Sequence, residues 1–185
     1  MDNKSSLGLV LGNLGYNYSK MGDDKKAIEL SKKSLRIFQE TGNRLAEGIE
    51  LAGMGSIFIR LAFWEKAEKF LMDAHEILKT RHPSKWGEAV SMIARIRSMR
   101  GVQMEEELEE AYNHAQKRIT CHIEFLFQQC FYHYNLNQKD KLQIRVEHLT
   151  TLIHNSELSS IGIYKEYPQI VQELLREEVS WDDEI

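Results

Sequence analysis

This 185-residue sequence has two cysteines, two prolines and no apolar run of membrane-spanning length, and each scarcity removes a class of protein. With only Pro83 and Pro168 to interrupt it, a helix can propagate over long stretches. No window of strand length alternates β-branched and polar residues, so sheet is not expected. Crossing a bilayer takes about 20 consecutive apolar residues. The N-terminus carries early charges of both signs, and Gly8, Gly12 and Gly15 break what would be the apolar core of a signal peptide. A cytoplasmic location is the expectation. Cys121 and Cys130 fall on one predicted helix, roughly 13 Å apart along its axis and out of disulfide reach. They read as reduced thiols. A net charge of −4 and a pI near 6.0 give no general attraction to nucleic acid or to an anionic membrane. Apolar content of 42% with 28% charged residues is that of an ordinary folded protein.

Catalytic patterns are equally scarce. Gly8, Gly12 and Gly15 are spaced like a phosphate loop, but no strand precedes them and no Lys-Ser or Lys-Thr follows, so helix packing is the better account of them. Cys130 and His133 share a helix face, yet no second pair is spaced to complete a tetrahedral metal site. His75, His82, His114, His148 and His154 fit no ligand or triad spacing. Glu105, Glu106, Glu107, Glu109 and Glu110 read as a solvated helix face, because nothing around them argues for desolvation. The sequence therefore offers no catalytic residue, no metal ligand and no cofactor site, and the chain is expected not to be an enzyme.

What it does offer is a repeat. Gly15 and Ala27 recur as Gly55 and Ala67, both 40 residues on, and Tyr18 recurs as Phe58. A glycine inside a helix costs about 1 kcal/mol relative to alanine, so two at matched positions ask for a compensating contact. Close approach of two helix backbones supplies one. Leu11, Leu14, Gly15 and Tyr18 fit the spacing W-x2-L-G-x2-Y, with Leu11 in place of the Trp, and Ala27 follows on a second helix.

In this spacing the chain resembles the tetratricopeptide repeat family, which implies an all-α, right-handed α-solenoid of helical hairpins. The repeat is longer than the usual roughly 34 residues and is similar to the form seen in kinesin light chain, in polarity adaptors and in bacterial Rap-type regulators. Hairpins are expected at about 5–42, 43–82, 84–118 and 119–154, then a capping helix over 155–179 and an acidic tail over 180–185. Ser5 or Ser6 is the expected cap of the first helix, and Ser84 that of the helix after Pro83. Gly22, Gly42, Gly101 and Asn137 are the expected left-handed turn residues, with Ala62 standing in the turn-glycine slot. The third hairpin keeps register only if two residues are inserted, which puts Leu108, Tyr112 and Ala115 rather than Glu106 in its buried slots.

The resemblance also implies binding of a protein or peptide on the concave face lined by the first helix of each hairpin, with no nucleic acid, membrane or cofactor involved. On that pattern the face offers Tyr16 and Lys20, then Ile49, Ser56 and Arg60, then Arg95, then Phe127, Phe131 and Tyr134. Lys20, Arg60 and Arg95 form a candidate ladder for carboxylates. Phe127, Phe131 and Tyr134, at i, i+4 and i+7, form either an apolar anchor or a stripe covered by the next helix. The carboxylate clamp of chaperone-binding members needs Lys and Asn where this chain has Gly12, Tyr16 and Gly53, so that partner is not expected. An adaptor or scaffold is the leading reading. A regulatory peptide sensor, or the ligand-sensing fragment of a bacterial transcription regulator, is the alternative, as is self-association through the acidic tail.

Overall fold

The computed structural model describes residues 3–182, and their side chains apart from those of 160, 162, 163 and 177–182. Among the described residues the chain is all-α, with no strand: α1 Asn3–Lys20, α2 Asp24–Glu40, α3 Arg44–Arg60, α4 Trp64–Arg81, α5 Pro83–Ser98, α6 Glu105–Ala115, α7 Ile119–Asn135, α8 Lys139–His154 and α9 Gly162–Asp182. The chain divides into two compact units, residues 1–89 and 90–185, and α5 crosses the division.

In the first unit, α1 with α2 and α3 with α4 form hairpins, and α2 also packs on α3. Asp23 caps α2 by accepting from the Lys26 amide at 3.1 Å, and Asn43 caps α3 by accepting from that of Ala46 at 3.2 Å. Both turns between paired helices need a left-handed residue. Gly22 supplies one at φ +82°, whereas Ala62 adopts φ 58° without glycine's freedom, at a cost of about 1 kcal/mol.

Two expected caps are corrected. Ser5 and Ser6 lie inside α1, whose first turn is tied to the end of α2 by Lys4 and Glu40 at 2.7 Å. Ser84 does not cap α5. Pro83 is the first residue of that helix and His82 caps it, its Nδ1 accepting from the Lys85 amide at 3.2 Å. Proline suits this position because its missing N–H would have had no helical partner.

Glycine sets the hairpin spacing. Gly15 and Gly55 are buried. A Cβ at Gly15 would lie 3.0 Å from Ser31 Oγ and 3.3 Å from the carbonyl oxygen of Ala27, and one at Gly55 would lie 2.6 Å from Leu71 Cγ. Ala27 and Ala67 are fully buried. A second matched pair was not read from the sequence: Gly8 and Gly48, also 40 residues apart, would bring a Cβ to 2.7 Å from Phe38 and 2.8 Å from Ile77. Each hairpin is thus closed at two glycines along its first helix.

The second unit is filled differently. α6, α7 and α8 contain no glycine. Leu108 and Ala115 of α6 are buried and Glu106 is exposed, as the two-residue insertion requires, but Tyr112 is only half-buried and Ala111 beside it is fully buried. Ile123, Leu126 and Cys130 of α7 meet Leu142, Val146, Leu149 and Ile153 of α8, and Tyr167, Val171 and Leu174 of α9 close this core. Ser156 opens a single 3-10 turn at Glu157–Ser160, its Oγ accepting from the Leu158 amide at 3.3 Å. α9 runs on to Asp182, past residue 179. Of the expected acidic tail, residues 183–185 lie outside the described residues.

Candidate functional site

The first helices of the hairpins carry the residues singled out above. On α1, Leu9, Tyr16 and Lys20 are exposed, Tyr16 to 58%. Forty residues later on α3, Ile49, Ser56 and Arg60 are exposed in turn. α1 and α3 are neighbours, and Gly12 makes that possible, since a Cβ there would lie 2.5 Å from the Glu50 carboxylate of α3. The two stripes therefore run on adjacent helices at equivalent positions. Gly53 has nothing within 4 Å of where its Cβ would be, so the α3 backbone is open there.

The cations on this face are not equivalent. Lys20 sits over the Tyr16 ring of its own helix, 5.0 Å from the centroid, a contact worth about 0.5–1 kcal/mol at an exposed site. Arg60 donates to Ser19 Oγ at 3.0 Å and pairs with Asp24. Its charge is committed inside the unit, tying α3 to the end of α1 and the start of α2, so it is not a free rung.

Between α2 and α3, Ser34 Oγ lies 2.8 Å from the Gly8 carbonyl oxygen and 3.1 Å from Glu50 Oε2. One hydroxyl proton cannot serve both acceptors. Burial pushes the Glu50 carboxyl above the usual carboxylate range, against the lowering effect of hydrogen bonds from Ser31 and Ser34.

In the second unit, Arg95 lies under partial cover. Its guanidinium stands 3.7 Å from the centroid of Phe131 and donates to Gln128 Oε1 at 3.0 Å. Asn135 Nδ2 donates to Ser98 Oγ at 2.9 Å, and Ser98 Oγ to the Arg95 carbonyl at 2.7 Å, which fixes α5 against α7. Among the described residues no carboxylate pairs with Arg95. Burial pulls its guanidinium down to about 10, so it is still a cation at neutral pH, held against a ring with its charge uncompensated.

The aromatic stripe is largely covered by α9. Phe127 stacks on Tyr167 with centroids 3.8 Å apart, and the Tyr167 hydroxyl reaches both Glu124 carboxylate oxygens at 3.0 Å. Phe127 is thus not an open anchor; Phe131, edge-on to Phe127 at 5.2 Å, and Tyr134 are half-buried. The covering ring lies 40 residues further along the sequence, on the helix that follows the last hairpin.

Sequence reasoning also passed over an imidazole cluster. His122 meets Tyr112 at 5.4 Å and His148 at 5.1 Å, while Arg145 stands 5.6 Å from the Tyr112 ring. His122 Nε2 is buried with no hydrogen-bond partner. Burial first, and then the charges of His148 and Arg145, pull His122 down to about 4; burial also lowers His148 and His133. These rings are core packing and are neutral at pH 7. Cys121 and Cys130 are buried in the same unit and not joined in a disulfide, and burial pushes Cys130 up to about 12, far from a thiolate nucleophile. Among the described residues no group of three or more His, Cys, Asp or Glu is placed to hold a metal ion, and no helix is long and apolar enough to cross a membrane. The cleft lined by Gln39, Arg44, Glu47, Asp73 and Glu76 has its buried carboxylate, Glu47, satisfied by Arg44 at 2.6 Å and Gln39 at 3.3 Å.

No curated protein and no solved structure matches the chain. The model of the tetratricopeptide repeat family matches residues 6–80, which are α1 to α4 with their two glycine-closed hairpins. Repeats of this kind generally mediate protein–protein interaction and are typically not catalytic. The paired helices, the 40-residue recurrence of Gly15 and Ala27, and this match together support tetratricopeptide repeats over residues 6–80.

Proposed function

We propose that the chain is a non-catalytic adaptor that binds a protein or peptide partner on the exposed faces of its A helices, meaning the first helix of each hairpin. The observation that carries this reading is the face of α1 and α3: Leu9, Tyr16 and Ile49 stay exposed on helices whose adjoining sides are packed to glycine contact. A fold that drives its helices this close and yet leaves large apolar side chains in water is presenting them. Lys20 here, and Arg95 in the second unit, supply positive charge, so the partner reads as a segment combining apolar and acidic residues. Arg60 is a strut rather than a contact, and Phe127 is half-buried beneath Tyr167. No cofactor enters this reading, and the cytoplasm is the compartment it proposes.

A randomised peptide library selected on the full chain tests it. The expected result is enrichment of peptides with acidic and apolar positions, lost with Tyr16→Ala/Ile49→Asp at unchanged helix content by circular dichroism. Peptides enriched equally by the variant would remove this face from the function.

A further inference from the structure

Within the second unit the charge of Arg95 goes unanswered. α5 and α7, the helices that meet around it, contain one acidic residue each, Glu88 and Glu124, and both are engaged elsewhere. Lys85 Nζ donates to the two oxygens of Glu88 at 2.9 and 2.7 Å. Glu124, one turn before Gln128 on α7, is held towards α9 by the Tyr167 hydroxyl. Burial lowers the Arg95 guanidinium, and among the described residues no neighbouring charge pulls the other way. A cation taken this far out of water is costly unless an opposite charge meets it.

The group is nevertheless held in one place. Phe131 lies 3.7 Å away, against the flat of the guanidinium, and Gln128 Oε1 takes one N–H at 3.0 Å. Both neighbours are neutral, so they orient the cation without discharging it. Asn135 Nδ2 donates to the Arg95 carbonyl oxygen at 3.3 Å and to Ser98 Oγ at 2.9 Å, which fixes the turn of α5 that carries the side chain. Stacking uses the flat of the guanidinium and leaves its edge, and among the described residues no second side chain takes its other donors. An oriented planar fork of N–H groups matches the two coplanar oxygens of a carboxylate.

The depth of the fork says how such a group arrives. Gln128 is 8% exposed, and Arg95 and Phe131 are half-buried, so the fork lies in a recess. A carboxylate on a side-chain arm reaches it, and glutamate has the longest arm of the natural acids. We propose that Arg95 receives the side-chain carboxylate of a glutamate in the bound partner, with Gln128 and Phe131 as positioning residues. This rests on the adaptor reading and divides its two cations: exposed Lys20 attracts acidic segments in general, whereas recessed Arg95 selects one residue.

Titrating the isotope-labelled full chain with N-acetyl-glutamate methylamide at constant ionic strength, and following the Arg95 Nε–Hε resonance, tests the site. A saturable shift is expected, about 10-fold tighter than with the blocked glutamine. The signal is assigned by its loss in Arg95→Met, which should fold at least as stably as the parent because it removes a buried charge. Arg95→Lys, a charge without the fork, should lose most of the preference. In peptides enriched from the library, replacing the glutamate by glutamine should weaken binding to the parent about 10-fold and leave binding to Arg95→Met unchanged. Enriched peptides that bind the parent and Arg95→Met equally overturn the proposal and leave the adaptor reading standing. No shift at Arg95, or a tighter one with inorganic phosphate than with the blocked glutamate, overturns it too. A glutamate-specific shift in a chain that enriches no peptide keeps the carboxylate site and overturns the adaptor reading instead.

Discussion

The two units build helical hairpins from opposite materials. In residues 1–89 the paired helices meet at Gly8, Gly15, Gly48 and Gly55, against Ser31, Phe38, Leu71 and Ile77. In residues 90–185 they are held apart by bulk: Tyr132 and Phe125 are fully buried, His122 and His133 nearly so. Close backbones gain contact at every atom but have no room to give. Bulky aromatic and imidazole packing fills space readily, at the price of buried polar atoms such as His122 Nε2 and His133 Nε2 that find no partner. One unit should therefore be sensitive to added volume and the other to added protons.

Added volume gives the largest effect. Gly55→Ala drives a methyl to 2.6 Å from the fully buried Leu71, and overpacking of this kind costs about 1–3 kcal/mol. Urea denaturation should show that loss even though alanine favours the helix. Pairing it with Leu71→Ser, the residue that the first repeat places opposite Gly15 at Ser31, should recover part of the cost as a positive coupling. Gly53→Ala, with open space around it, should instead stabilise by up to about 1 kcal/mol. Equal effects at 53 and 55 would break the comparison.

Added protons come next. His122 has a folded value lowered from 6.5 to about 4, so the folded state favours the neutral ring. Its contribution is full above pH 6.5 and is lost as the pH falls from there through about 4. After discounting for solvent screening this amounts to about 1–2 kcal/mol. His133 and His148 shift in the same direction. His122→Phe should flatten the acid limb of stability against pH; an unchanged limb would mean that the imidazole cluster is not its cause.

Glu50 has the opposite sign. Its folded value is raised, so its contribution is present while it is protonated and is lost as the pH rises from about 4.5 through the folded value. Glu50→Gln should raise the melting temperature at pH 7 and leave it unchanged well below pH 4.5. Smallest is Ala62→Gly, which relieves the left-handed alanine at φ 58° and should stabilise by about 0.5–1 kcal/mol.

The fold was legible because its signal is local and repeated. Gly15, Ala27, Gly55 and Ala67 announce a 40-residue period, and the helices and left-handed turns follow from it. The Gly8 and Gly48 pair carries the same period but lies outside the W-x2-L-G-x2-Y spacing, so it reads as composition until Phe38 and Ile77 are seen against it. The His82 cap was missed because histidine is a rare cap, and Pro83 beside it reads as a helix stop although it suits a helix start. The site was less legible for a different reason. Whether Arg60, Phe127 or Arg95 is available depends on Asp24, Tyr167 and Gln128, each 33 to 40 residues away in sequence, and side-chain spacing along one helix does not encode a partner on another.

Both cysteines of the chain, Cys121 and Cys130, lie in the core of residues 90–185, buried and not joined in a disulfide. Residues 1–89 have none. A thiol reagent added to the native protein therefore has targets in one unit alone, and it reaches them only when that core opens. The rate of labelling becomes a clock for the opening of α7 against α8 and α9, ticking without any added dye or substitution, while the glycine-closed hairpins stay silent beside it.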